Sequence, residues 1–302
     1  MTTTPAVSVL MTAYDREPLI AEAIESVLAQ TFSDFELIVS DDGSRDGTVR
    51  IAEEYARHDS RVRVSVNPAN LGDYGNRQQA LSLARGRFVK YHDSDDVMYP
   101  HCLAVMVGAL ETAPSAAFAL SASHAWPGGP CPMLLTPRLA YEREYLGGGL
   151  FQLGPAAALF RTGVFRELGG FENVAHSADY LFWIRACARV NVLLVPGDLF
   201  HYRVHAQQEG AKPANDLAFA RAAGTAWRML NSPDCPLAGD ALETARRNFA
   251  WVQARGVYRH LRRGRIASAV AILEHAGLTP ADWARYLRRP HRSPHAGTPV
   301  TV

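Results

Sequence analysis

Apolar positions follow two alternating rhythms over the first part of the chain. Val7-Ser8-Val9-Leu10-Met11 is a short apolar run without helical period, which suits a strand buried on both faces of a parallel sheet. Ile20, Ala23, Ile24, Val27 and Leu28 then recur at helical spacing, with Pro18 near the start. Phe35 to Ser40 reads as a second strand, and Asp46-Gly47-Thr48 opens a helix with Val49, Ile51, Ala52 and Tyr55 on its apolar face. Val62 to Val66 predicts a third strand, Gln79 to Ala84 a third helix, and Phe88 onward a fourth strand with aromatic and β-branched bulk. This alternation predicts right-handed βαβ crossovers and a doubly wound, mainly parallel sheet.

Beyond Leu120 the pattern is weaker. Trp126-Pro127-Gly128-Gly129-Pro130 and Gly147-Gly148-Gly149 break it, so short strands in a loop-rich region are expected. Gly154 to Phe160 suits a strand, Val164 to Leu168 a short helix, and Asp179 to Val190 a longer one. Val192 to Pro196 and Phe200 to His205 are strand-like, and from Asp216 to Arg289 the pattern is helical. The last dozen residues, with Pro290, Pro294 and Pro299, are expected to be disordered.

In a parallel sheet of this kind, ligands bind beyond the carboxyl ends of the strands. Thr12-Ala13-Tyr14, Asp41-Asp42 and Asp93-Ser94-Asp95 each follow a strand directly, so three polar clusters should converge on one edge. Asp93, Asp95 and Asp96 cannot be buried together unpaired, because their charges repel and each loses its hydration. They need water, a helix N-terminus or a cation. Hard oxygen ligands at a strand end suit Mg²⁺ or Mn²⁺ bridging to a phosphate. The competing reading is a solvated turn in which Asp95 or Asp96 caps the helix entering at Pro100. No G-x-G-x-x-G follows the first strand and no G-x-x-x-x-G-K-[ST] occurs, which disfavours dinucleotide dehydrogenases and P-loop NTPases.

Composition narrows the class further. The chain has 302 residues, of which 48% are hydrophobic and 20% charged, enough for a substantial core. No apolar run approaches the roughly 20 residues of a membrane span, and no signal-peptide pattern opens the sequence, so a cytoplasmic protein is expected. The four cysteines are widely spaced with no C-x-x-C pair, which points to reduced, buried thiols. Charge is uneven: between Arg246 and Arg292 lie eleven Arg and no Lys against Glu274 and Asp282, a surplus of nine behind a net charge of only +1. Such a basic tail suits an anionic surface or a protein partner, though a helical cap over the sheet is its expected main role and an Arg-rich solvated face the plainer alternative.

The N-terminal hundred residues resemble the family 2 glycosyltransferases with the GT-A fold, most closely the non-processive, SpsA-like members. Val7 to Tyr14 matches the opening strand and Ser26 to Val39 the first helix and second strand. Asp41-Asp42-Gly43-Ser44-Arg45-Asp46-Gly47-Thr48 matches the DDGS-x-DGT signature, and Asp93-Ser94-Asp95-Asp96 the D-x-D element. Asn70-Leu71-Gly72, Arg77, Ala84-Arg85-Gly86, Leu168-Gly169-Gly170-Phe171 and Tyr202-Arg203-Val204-His205 also fit. The resemblance implies an α/β, Rossmann-like GT-A fold, a mixed and mainly parallel sheet flanked by helices, with a C-terminal helical extension. The expected domains are 1–210 (1–100 nucleotide-binding, 101–210 acceptor half), a helical extension over 211–290, and a tail over 291–302.

It also implies roles. Thr12, Ala13 and Tyr14 would place the base and Tyr14 stack on it, and Asp42 would bond the uracil or thymine imide. Arg77 would lie near the base or diphosphate, Asp93 and Ser94 at the nucleotide, and Asp95 would hold Mn²⁺ or Mg²⁺, with His205 as a second contact. An inverting transfer needs a base for the acceptor proton. The family places it in a Glu-Asp pair; here Ala178 replaces the glutamate and Asp179 keeps the carboxylate. Asp179 is therefore the expected catalytic base, with Glu172 in reserve, and a carboxylate favoured by a helix dipole is the plainer reading. Asp41 is expected to hold loop amides, His92 and His201 to be structural, and Trp126, Gln152 and Trp183 to line an acceptor groove or pack in the core.

The expected activity is thus metal-assisted, inverting transfer of a hexose-type sugar from a UDP- or dTDP-sugar to a hydroxyl or amine. A saccharide, lipid-linked or small-molecule acceptor fits, with no nucleic acid partner and peripheral contact with the inner membrane face through the Arg-rich helices. The rivals are a non-catalytic sugar-nucleotide binder and a sugar-phosphate nucleotidyltransferase, the latter disfavoured because no basic, Gly-rich phosphate loop follows the first strand.

Overall fold

Four strands set the frame: β1 (Val7–Ala13), β2 (Phe35–Asp41) and β4 (Phe88–Asp93), which are buried, and the half-buried edge strand β3 (Val62–Val66). In the computed structural model, which describes residues 4–122, 131–174, 177–205 and 216–288, they pair in parallel in the order β3-β2-β1-β4. The crossovers carry α1 (Ile20–Leu28), α2 (Thr48–His58) and α3 (Asp73–Leu83). Every residue of β1 and β2 is buried, as expected of strands covered on both faces. Helix α3 begins six residues earlier than its apolar period predicts. Its first turn, Asp73-Tyr74-Gly75-Asn76, carries polar groups that face the sheet edge and the neighbouring loop rather than an apolar face.

After a two-residue strand β5 (Val97–Met98) and α4 (Cys102–Thr112), the sheet continues with β6 (Ala116–Ala122), β7 (Met133–Leu135), β8 (Ala158–Arg161) and β9 (Asn191–Pro196). The full order is β3-β2-β1-β4-β8-β6-β9-β7, with β8 and β7 antiparallel to their neighbours and β6 parallel to β9. A second sheet pairs β5 with β10 (Phe200–His201). Two expectations are corrected here. Pro155–Ala157 is a 3-10 turn, because Pro155 lacks the amide a ladder needs, so the strand predicted from Gly154 begins at Ala158. The strand expected from Phe200 to His205 stops at His201, since its partner β5 has only two residues.

The remaining helices are α5 (Pro137–Glu142), which runs into a π-helical turn at Arg143–Gly147, α6 (Thr162–Glu167), α7 (Ala178–Cys187), α8 (Asp216–Leu230), α9 (Gly239–Arg262), α10 (Ile266–His275) and α11 (Pro280–Leu287). The chain divides into two compact units. The first comprises Met1–Leu135, Leu153–Phe182 and Val190–Ala206; the second comprises Thr136–Gln152, Trp183–Arg189 and Gln207–Val302. The tail expected to be disordered and Trp126 lie outside the described residues.

Two cores hold the first unit. On one face of the sheet, Val9, Met11, Leu37, Val39 and Phe88 pack with Ile24 and Val27 of α1 and Leu103, Met106 and Leu110 of α4. On the other, Phe160, Phe165, Phe171 and Phe182 form a nest of mostly edge-to-face rings with centroids 4.2–6.0 Å apart, and Tyr91 of β4 leans on Phe171 at 5.5 Å. Such rings add attraction beyond the area they bury. This nest fixes α7 against β4. All four cysteines are free, but only Cys102 and Cys187 are buried; Cys131 is exposed and Cys235 half-buried, which corrects the expectation for those two.

Candidate active site

The strand register gathers the predicted clusters. Thr12 stands opposite Asp93 across β1 and β4, and Ala13 opposite Asp41 across β1 and β2. Thr12 and Ala13 are buried in the strand end, whereas Tyr14 is 40% exposed. Ser94 is buried just beyond Asp93.

The two aspartates after β2 build a loop scaffold. Asp41 accepts from the amides of Gly43 and Ser44 at 3.0 and 2.8 Å, as expected. Asp42 does the same for the next loop: it accepts from Asn67 Nδ2 at 2.9 Å and from the amides of Leu71 and Gly72 at 2.8 and 2.9 Å. Gly72, at φ +79°, supplies the left-handed turn that aims these amides at one carboxylate. Asp42 is 3% exposed and engaged on both oxygens, so any contact with a base would share a carboxylate already in use.

Arg77 is the hub of the edge. Its Nε donates to Asp73 at 3.0 Å and its Nη2 to Asp93 at 2.7 Å, while the guanidinium lies 5.8 and 5.6 Å from the rings of Tyr74 and Tyr91. Tyr91 in turn donates to the Arg77 carbonyl at 3.1 Å. Burial works against the Arg77 charge, but Asp73 and Asp93 outweigh it and push its pKa up. Burial would raise the Asp93 carboxyl; Arg77 outweighs it and holds Asp93 ionised. One guanidinium nitrogen, Nη1, is buried without a hydrogen-bond partner.

Asp179 sits in the first turn of α7, directly after Ser177, whose positive φ of 65° turns the chain into the helix. Its carboxylate accepts from the Tyr180 amide at 2.8 Å and lies beside Tyr74 and Arg77. Burial pushes its pKa up, and the Tyr180 amide, Tyr74 and Arg77 only partly offset this. Asp179 is thus a desolvated carboxylate, the setting in which a carboxyl group becomes a stronger base.

Asp95 meets a guanidinium and an imidazole. Its Oδ2 lies 3.2 Å from Arg16 Nε and 3.0 Å from His205 Nε2. Arg16 is held over it by donating from Nη1 to the carbonyls of Tyr14 and Asp15 at 3.1 and 3.2 Å. Asp96 turns inward and accepts from the Arg203 amide at 3.0 Å, so it closes the chain end after β10 and does not cap a helix. α4 begins at Cys102, and His101 before it makes no side-chain cap. Burial and then Asp93 raise the Asp96 carboxyl to about 7.

Beneath these groups β4 carries two buried nitrogen bases. Lys90 donates to the carbonyls of Ala156 and Tyr91, and burial lowers its pKa. His92 is fully buried, and burial followed by the Lys90 charge lowers it to about 3, so it is neutral and structural, as expected.

Of the predicted residues, the structure brings together Arg77, Asp93 and Asp179 around one guanidinium, and Asp95 with His205 around one oxygen. Glu172 is exposed, and His201 is exposed on β10. Trp183 is fully buried and packs, and Gln152 is exposed. Sequence reasoning missed Arg16, Asp73 and Tyr74. Arg16 follows the Thr12-Ala13-Tyr14 cluster by two residues, and Asp73 and Arg77 have the i, i+4 spacing of a helical ion pair, a signal that was available.

A divalent ion fits this corner in a specific way. Among the described residues no three His, Cys, Asp or Glu side chains are grouped to hold an ion. Asp95 and His205 offer one hard oxygen and one imidazole, so further ligands would be water and phosphate oxygens, the mode in which Mg²⁺ and Mn²⁺ bind.

The model of the family described as "Glycosyl transferase family 2" matches residues 8–169, more than half of the chain and all of the strand-end clusters through Asp95. The chain belongs to this family. The putative glycosyltransferase EpsE of Bacillus subtilis (strain 168) is 41% identical over 112 residues, 37% of this chain and 40% of EpsE. WfgD of Escherichia coli, named UDP-Glc:alpha-D-GlcNAc-diphosphoundecaprenol beta-1,3-glucosyltransferase, is 39% identical over 101 residues, 33% of this chain and 39% of WfgD. The matched stretch spans less than half the length of either relative. Two solved structures share the fold. S. aureus TarS 1-349 with UDP-GlcNAc has a TM-score of 0.61 at 19% identity, over 89% of this chain and 90% of that one. Mannosyltransferase PcManGT from Pyrobaculum calidifontis with GDP-Man and Mn²⁺ has a TM-score of 0.60 at 19% identity, over 91% and 88%. The expected GT-A-like architecture, a mixed and mostly parallel sheet flanked by helices with further helices at the C-terminus, is the one observed.

Proposed function

We propose that this chain transfers a hexose-type sugar, with inversion, from a UDP- or dTDP-sugar to an acceptor hydroxyl or amine. The observation that carries the reading is the Arg77 hub, which holds a nucleotide-side carboxylate, Asp93, and a desolvated carboxylate, Asp179, around one buried guanidinium. In this reading Tyr14 stacks on the base, Thr12, Ala13, Asp42 and Ser94 shape its pocket, and Asp93 takes the ribose. Asp95 and His205 hold Mn²⁺ or Mg²⁺, which stabilises charge on the departing diphosphate when bound. Arg16, released from Asp95, turns its guanidinium to the phosphates. The free Nη1 of Arg77 is a second donor for an anionic oxygen.

Asp179 acts as the base. Its raised pKa strengthens its pull on the acceptor proton, and Tyr74 and the Tyr180 amide hold its orientation. Residues 1–210 serve as the transfer domain and 211–290 as a helical extension. Relatives such as WfgD, whose name specifies a diphosphoundecaprenol-linked acceptor, support a lipid-linked acceptor and a position at the inner membrane face. No helix of the described residues is long and apolar enough to cross a membrane, so the contact would be peripheral.

Calorimetry of UDP and dTDP, each with and without Mn²⁺, on the wild type and Asp95→Ala tests the donor site. Binding that requires both metal and Asp95 is expected. Tight binding of GDP with no response to UDP or dTDP would overturn the pyrimidine assignment.

A further inference from the structure

The second unit carries a surface that its own packing leaves uncovered. Helices α9 and α10 form a hairpin whose turn is Arg263-Gly264-Arg265, with Gly264 at φ +69°. Along α9, Val252, Arg255, Arg259 and Arg262 recur at spacings of three and four, so they share one face, and all are exposed. Along α10, Ile266, Val270 and Leu273 recur at four and three and are exposed as well, while Ala269 and Ala276 are buried on the other side. The first turn of α8 reaches the same hairpin, because Asp216 accepts from Ser268 of α10 and lies 3.9 Å from His260 of α9. That turn adds Leu217 and Phe219, both exposed.

The hairpin tip is therefore both apolar and basic. Phe219, Tyr258, Leu261 and Ile266 each leave more than half of their surface in water. Between them stand Arg255, Arg259, Arg262, Arg263 and Arg265, all exposed, and none forms an ion pair among the described residues. Two acids lie on this surface among the described residues: Asp216 is already engaged by Ser268, and Glu274 is exposed at the far end of α10, one turn beyond Val270.

We propose that this tip, with the first turn of α8, is a docking surface for an anionic lipid bilayer. Guanidinium groups pair with lipid phosphates while the neighbouring apolar side chains enter the acyl boundary. Two chemistries fit less well. A second copy of this chain would bring the same five arginines face to face with only Asp216 and Glu274 to offset them. A nucleic acid backbone would use the arginines but leave Leu261 and Ile266 against water. The proposal deepens the peripheral, lipid-linked reading above, yet its test reads no turnover, so either can fail alone.

The full chain is sedimented with vesicles of phosphatidylcholine alone and of equal parts phosphatidylcholine and phosphatidylglycerol, at low and high salt. Binding to the anionic vesicles only, weakened by salt, is expected. Replacing Arg259, Arg262 and Arg263 together by Gln should lower partitioning about a hundredfold, since each basic residue near an anionic leaflet contributes on the order of 1 kcal/mol. Leu261→Gln with Ile266→Gln should also lower it, and the residual binding should be abolished by salt. These side chains are exposed, so circular dichroism and melting should match the wild type. No binding to anionic vesicles, or binding unchanged in the triple variant, would overturn the proposal. So would a concentration-dependent dimer in light scattering that the apolar pair of substitutions abolishes. Donor binding by calorimetry in lipid-free buffer tests the transferase reading separately.

Discussion

The two ends of the same parallel strands are built on opposite rules. At the amino end, Glu36 of β2 is buried and every donor around it is spent on it. Ser8 donates at 2.7 Å, the Arg85 amide at 3.0 Å, and the guanidinium groups of Arg63 and Arg85 at 2.8 and 2.7 Å. Ser8 Oγ also accepts from the Gly86 amide at 2.8 Å, and a Cβ on Gly86 would lie 2.5 Å from the Ser8 nitrogen. At the carboxyl end, Arg77 keeps a buried nitrogen without a partner and Asp96 a buried oxygen without one. The first edge closes the fold, and the second keeps hydrogen-bonding capacity that folding does not use. Unspent polar capacity costs stability, so its concentration on one edge marks where a ligand is expected to supply the missing partners.

The largest effect that separates the edges is on rate. Asp179→Asn should lower turnover by about 10²- to 10⁴-fold, the usual reach of a general base, with UDP affinity in calorimetry unchanged. Loss of donor binding in step with turnover would move Asp179 from chemistry to scaffold. Glu36→Gln should do the reverse. It should destabilise the fold by about 1–2 kcal/mol, since Arg63 and Arg85 are partly exposed and solvent screens them, and leave turnover per folded molecule intact. The pH sign follows from its surroundings: burial would raise the Glu36 carboxyl, but Arg85, Ser8 and Arg63 outweigh it and lower it below 4.5. Its stabilisation is therefore present above the unfolded value and lost as pH falls through the lower folded one. Acid unfolding followed by circular dichroism should show a shallower loss of stability in Glu36→Gln.

A smaller effect lies in the pH profile. Burial raises the pKa of Asp179, so activity should climb as pH rises through that value, above the ordinary range for an aspartate. Arg77 lowers this pKa in part, so Arg77→Gln should shift the acid limb to higher pH besides weakening donor binding. An acid limb that stays in place would remove Arg77 from the neighbourhood of the base. The smallest change is expected from Arg16→Gln. Its pairing with Asp95 is partly exposed, so the variant should bind Mn²⁺ severalfold more tightly without nucleotide, read by calorimetry.

Much of this was legible in the sequence because parallel strands carry a strong signature. β1, β2 and β4 are rich in apolar and β-branched residues and buried on both faces, and the polar residues that follow each strand must meet on one edge. The loop role of Asp41 and the buried, structural place of His92 follow from the same logic. What stayed hidden has physical reasons as well. β6 reads Ala-Ala-Phe-Ala-Leu-Ser-Ala, whose small residues show no β-branched bulk, although they let the strand sit between two neighbours. The start of α3 was masked because its first turn serves the site and not the core. Arg16 looked like any surface arginine, since nothing local reveals a carboxylate 79 residues away. The load already carried by Asp42 was hidden because nothing local shows that the amides of Leu71 and Gly72, 29 and 30 residues further on, turn toward it.

The short ribbon of β5 and β10 has a consequence for the order of assembly. It fastens Asp95 to His205 and Asp96 to Arg203, pairs 110 and 107 residues apart along the chain. Contacts this distant reward folding only after a long loop has closed. That loop carries β6 to β9, half of the central sheet, and the aromatic nest. The corner around Asp95 is therefore expected to be completed late, once both halves of the sheet have packed.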